Sequence, residues 1–105
     1  MTTYHTNSAK VKTKVRKLLS EMTLAEKISQ MGGVWTSELI KDGRFSPEKA
    51  EGLIKDGIGQ ISIIGGIHRL PPQKAAAIAN DIQRFLGEET RMGIPAIMHG
   101  ECLNG

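Results

Sequence analysis

The chain has 105 residues, 39% hydrophobic and 24% charged, a composition that excludes a disordered or fibrous protein and suits a globular one. Its formal charge of +3 is local, in Lys10, Lys12, Lys14, Arg16 and Lys17; aromatics are 4% of residues, and none lies between Tyr4 and Trp35. That pattern is the solvated face of a helix and excludes a nucleic-acid partner.

Cys102 is the single cysteine, so no internal disulfide can form, and no apolar run reaches signal-peptide or membrane-spanning length. A soluble cytoplasmic protein with no membrane partner is expected. From the amino end, residues 1–9 are polar and aperiodic, which predicts a flexible arm, with His5 exposed in it. From Lys10 onward Val11, Val15, Leu18, Leu19 and Met22 recur at helical spacing. Thr23-Leu24-Ala25-Glu26 has the form of a capping box and opens a second short helix. Its Leu24, Ile28 and Met31 are expected to face inward, and Gly32-Gly33 to stop it.

The stretch 34–45 is ambiguous. Trp35, the single tryptophan, is a core or interface anchor before it is a sugar-stacking platform. Asp42-Gly43 signals a turn, and Ser46-Pro47 starts a helix with Ala50, Leu53 and Ile54 inward and an end at Asp56-Gly57. Residues Ile58 to Ile64 then read as a buried strand. Gly65-Gly66 lacks the companions of a phosphate loop and reads as plain loop, as do His68 and Arg69. Pro72 to Thr90 is the longest helix, with Ala75, Ile78, Ala79, Ile82, Phe85 and Leu86 along one side. Ala96-Ile97-Met98 forms a second buried strand, completing a βαβ unit.

Two parallel strands cannot cover both their faces or their outer edges. Oligomerisation or a longer parent chain is therefore expected. The fold class is α/β, and polar residues appear abruptly where the second strand stops. In such folds a carboxylate at the carboxyl end of a parallel strand lies where ligands bind. Here that carboxylate is Glu101.

The residues 15–28 (Val-Arg-Lys-Leu-Leu-Ser-Glu-Met-Thr-Leu-Ala-Glu-Lys-Ile), 57–61, 80–86 and 89–96 together resemble the N-terminal part of a glycoside hydrolase family 3 enzyme, the group of β-glucosidases and β-xylosidases. The resemblance covers residues 10–105 and implies the N-terminal portion of an incomplete (β/α)8 TIM-like barrel. It implies an exo-acting hydrolase of terminal β-linked sugars with a retaining mechanism. The substrate would be an oligosaccharide or aryl β-glycoside, no cofactor is implied, and the partner would be the remainder of the parent chain. Glu101 matches the acidic position that binds hydroxyls of the glycone. Gly100 departs from the family pattern, which has an acidic residue there.

Cleavage of a β-glycoside takes two carboxyl groups. The resemblance puts both beyond Gly105, so no catalytic residue is assigned within the chain and it is expected to be inactive alone. Two other chemistries meet missing parts. His99-x-Glu101 lacks the P-C-x-x-C pair of a zinc deaminase. A His99–Cys102 dyad would have its members on opposite sides of an extended chain. His99 is instead expected to be a hydrogen-bonded residue at a strand end. The alternative to a hydrolase segment is a non-enzymatic α/β module or interaction piece.

Overall fold

The computed structural model describes residues 5–62 and 69–100. Helix α1 covers His5–Glu21. It starts ahead of the expected Lys10 and includes residues 5–9 of the segment expected to be a flexible arm. That run contains neither glycine nor proline, so a helix formed further along extends back through it at little cost.

Helix α2, Leu24–Gln30, opens at the expected capping box. The Glu26 amide donates to Thr23 Oγ1 at 3.2 Å, and the Thr23 amide donates to Glu26 Oε2 at 2.8 Å. Its apolar residues do not face inward as expected. Leu24, Ile28 and Met31 are exposed, as are Val11, Val15, Leu18 and Leu19 of α1, and the buried residue of α2 is Glu26. Helical spacing shows that a helix has an apolar side; it does not show that the cover for that side lies in the same 105 residues.

The ambiguous stretch resolves into a short strand β1, Gly33–Trp35, a single 3-10 turn at Thr36–Leu39, and a hairpin of β2, Ile40–Lys41, and β3, Arg44–Phe45. Asp42 and Gly43 take φ of 53° and 75° between β2 and β3. Positive φ at both central residues is what a tight hairpin turn of type I′ requires, and Asp-Gly supplies it. Helix α3, Pro47–Ile54, starts as expected: the Lys49 amide donates to the Ser46 hydroxyl at 3.3 Å, with Pro47 in the first turn. Ala50 and Ile54 are buried, but Leu53, also expected inward, is 49% exposed. Leu53 lies one residue from Ile54, and so beyond the edge of the short helix's buried face.

Strand β4 is Gln60–Ser62, helix α4 is Pro72–Glu89, and strand β5 is Ile97–His99. The sheet runs β1-β4-β5 with both pairings parallel. Among the described residues it therefore has three strands rather than the expected two, and the strand expected to be first is central. The added strand, β1, is only Gly33-Val34-Trp35 and begins with glycine, too short for apolar alternation to mark it. Both expected strands are also trimmed at their starts, because the backbone there is engaged elsewhere. Gly59 N–H donates to Ser29 O at 3.3 Å, and the Gln83 amide group clamps Ala96 through both its N–H and C=O, at 3.0 and 2.8 Å. Gly59 is required where it sits, since a Cβ there would collide with the Gln30 carbonyl.

Leu39, Ile54, Ile61, Ile82 and Leu86 are fully buried between one face of the sheet, α3 and α4. Phe45 and Phe85 meet edge-on with ring centres 6.0 Å apart. Each such side chain contributes about 1.5–3 kcal/mol of transfer free energy. The stripe expected on α4 is the one observed, with Ile78, Ile82, Phe85 and Leu86 buried. The radius of gyration, 15.7 Å, exceeds the roughly 13 Å of a compact domain this long.

Candidate functional site

The parallel sheet sorts its side chains by row. Val34, Ile61 and Met98 are paired across β1, β4 and β5, and all three pack against the buried cluster. The rows on either side, Gly33–Gln60–Ile97 and Trp35–Ser62–His99, must then present their side chains to the opposite face. That face is open: Ile97 is 67% exposed and Trp35 53%, and Gln60 and His99 are exposed too.

The row at the carboxyl end carries hydrogen-bonding chemistry. Ser62 Oγ and His99 Nε2 are 2.9 Å apart. The hydroxyl donates to an unprotonated Nε2 or accepts from Nε2–H, according to the tautomer. The Thr36 hydroxyl donates to the Ser62 carbonyl at 2.8 Å, tying the segment after β1 to the tip of β4. The Trp35 amide donates to Glu38 Oε2 at 2.8 Å. Three strand tips are thereby held in one register, with an indole, a hydroxyl and an imidazole side by side.

His99 is at the strand end and hydrogen-bonded, as expected. Trp35, expected to pack in a core or interface, stands half exposed at the tip of β1 because its row faces away from the helices. Gly100 follows β5 and is exposed; Arg69 is exposed with φ of 46°. Glu101, Cys102, His68 and Gly65-Gly66 lie outside the described residues. Ser62 and Thr36 were not anticipated. A signal for Ser62 exists: it is a polar residue inside the otherwise apolar run Ile61 to Ile64, where a strand covered on both faces would be apolar throughout. Ser62 and His99 have the spacing of a nucleophile and its base. Among the described residues no third group hydrogen-bonds to the imidazole to orient it.

The strongest electrostatic arrangement lies away from this row. Arg91 donates from Nε to Glu26 Oε1 at 2.7 Å, from Nη2 to Glu26 Oε2, and from Nη2 to the Glu21 carbonyl at 2.8 Å. The Arg91 guanidinium, and after it the Thr23 amide, hold the Glu26 carboxyl down at about 2, from a usual 4.5. Glu26 is buried, and its role is to join α2 and the end of α1 to the segment before β5. A groove of about 520 Å³ also opens on the helix side, lined by Phe45, Pro47, Glu51, Asp81, Arg84 and Phe85. It contains none of the strand-tip residues.

No family model matches the chain. Over 106 aligned positions, 97% of the chain is 32% identical to a protein of Formosa agariphila named "Putative beta-xylosidase". The chain spans 14% of that relative's length. It is thus similar to a small part of a protein of glycosidase type. No helix among the described residues is long and apolar enough to cross a membrane.

Proposed function

We propose that the chain is the opening segment of the catalytic barrel of a family 3 glycoside hydrolase, of β-glucosidase or β-xylosidase type, and contributes one edge of its sugar pocket. The observation that carries this is the similarity to the protein named as a β-xylosidase along nearly the whole chain. The sheet is compatible with it. Its strands are parallel, follow one another in space as in sequence, and have α3 and α4 on one face. A (β/α)8 barrel opens in that way, and its ligands bind at the carboxyl ends of the strands.

Glu101 follows the tip of β5 by two residues. In this role its carboxylate accepts hydrogen bonds from sugar hydroxyls, and the two carboxyl groups that break the glycosidic bond belong to the remainder of the parent chain. A hydrogen bond to a charged acceptor is worth about 1.5–3 kcal/mol. If it is made in the transition state, that corresponds to roughly 10- to 150-fold in rate. Replacing Glu101 by Gln in the full-length parent is expected to lower kcat/KM on an aryl β-xyloside or β-glucoside by that factor, with the thermal midpoint unchanged. Unaltered kinetics would remove Glu101 from the pocket.

The exposed apolar residues of α1 and α2 favour a second reading, in which the chain is an interaction module without activity of its own. A parent enzyme whose aryl-glycosidase activity survives deletion of residues 1–105 would favour that module.

A further inference from the structure

Trp35 is held more firmly than an exposed residue needs to be. Its backbone pairs in register with Ser62, its amide is bound by the Glu38 carboxylate, and the next residue, Thr36, is buried with its hydroxyl on the Ser62 carbonyl. Yet Trp35 is 53% exposed, although tryptophan is one of the residues most buried on average. A rigid mount beneath an uncovered aromatic plate lowers the ordering cost of any ligand that stacks on it.

The neighbours of the plate define the ligand. One strand away in the same row, at the roughly 4.8 Å spacing of paired strands, is the Ser62 hydroxyl, and beyond it His99. A serine hydroxyl has one donor and two acceptor positions. His99 Nε2 occupies one of them at 2.9 Å, which fixes the hydroxyl and leaves it further hydrogen-bonding capacity. An apolar plate beside an oriented hydroxyl suits a molecule with one C–H face and a hydroxyl rim. A pyranose ring is such a molecule; an aromatic ligand without polar groups would not use the hydroxyl, and an anion would find no fixed cation in this row.

We infer that Trp35 is a stacking platform for a pyranose ring, and that the Ser62–His99 pair reads one of its hydroxyls. This rests on the proposal that the carboxyl edge of the sheet binds sugar. It adds the residues that set the orientation of the ring: the indole fixes its plane, and Ser62 selects for a hydroxyl at the position it reaches.

The single tryptophan makes its own reporter. The 105-residue chain is titrated with methyl β-D-xyloside, and with xylitol as the acyclic control, while indole emission and amide chemical shifts are recorded together. Saturable emission and shift changes are expected with the pyranoside and not with xylitol. Trp35→Leu is expected to weaken the binding seen in the shifts by tenfold or more, Trp35→Phe to restore most of it, and Ser62→Ala and His99→Ala to weaken it several-fold. Far-UV circular dichroism should be unchanged in all four. Shifts that saturate without any emission change, persist in Trp35→Leu and vanish in Glu101→Gln would overturn the platform and leave the sugar-binding edge standing. No saturable shift with the pyranoside would overturn the platform, while the sugar-binding edge is tested separately by Glu101→Gln in the full-length parent.

Discussion

The two halves of this molecule are held together by different physics. From Leu39 to Ala96, the sheet, α3 and α4 share a buried apolar cluster in which Ile54, Ile61, Ile82 and Leu86 are inaccessible to solvent. From Ser8 to Glu21, by contrast, every residue of α1 is exposed, and α2 buries only its glutamate. The hydrogen bonds that join the helix pair to the rest run from Arg91 to Glu26 and the Glu21 carbonyl and from the Gly59 amide to Ser29 O, beside an open apolar groove that Ile94 shares with Val15, Leu18 and Leu19. Apolar burial is non-directional and tolerates small shifts, whereas a bidentate guanidinium–carboxylate pair specifies one orientation. The first half is therefore stabilised by its interior, and the second is positioned by a joint.

Substitutions should separate the two. Ile82→Ala is expected to have the largest effect, about 2–5 kcal/mol, because it leaves a cavity beneath the centre of α4. Urea unfolding followed by circular dichroism would show it. Arg91→Met comes next, and its effect should be local: α1 and α2 lose protection in hydrogen exchange while α4 keeps its own. The same joint responds to acid. Since the folded Glu26 carboxyl is held at about 2 against a usual 4.5, its contribution is fully present above about 4.5 and is lost as pH falls towards 2. An NMR titration should find the Glu26 carboxyl well below its usual range in the native chain, and raised in Arg91→Met, where the Thr23 amide still lowers it. Val11→Ser should have the smallest effect, under about 0.5 kcal/mol, because that side chain is the most exposed large apolar one of α1 and has little cover to lose. A loss near that of Ile82→Ala would mean that α1 has a cover in solution.

The sequence made the cluster half easy to read and the joint half hard. The Ile78–Ile82–Phe85–Leu86 stripe, the Ser46-Pro47 start and the Asp42-Gly43 turn are local signals, and each acts within a few residues. The capping box was equally local, yet it gave no hint that Glu26 also binds Arg91, because that contact spans 65 positions. β1 escaped notice because three residues beginning with glycine carry too little periodicity, and only its pairing with β4 makes it a strand. With β1 unseen, the register that brings Trp35 beside Ser62 was invisible as well. His99 was legible as a hydrogen-bonded strand end; its partner was not, because the two are 37 residues apart.

The register of the sheet also bears on the order of assembly. Strand β4 is bonded on one side to a segment synthesised well before it and on the other to one 37 residues later. Closing such distant pairings costs chain entropy that is recovered only late. The helices can fluctuate into place within microseconds. The middle of the sheet stays half-paired until Ile97 arrives, so a nascent chain on the ribosome would carry an incomplete, sticky intermediate through the 37 positions that separate the paired residues of β4 and β5.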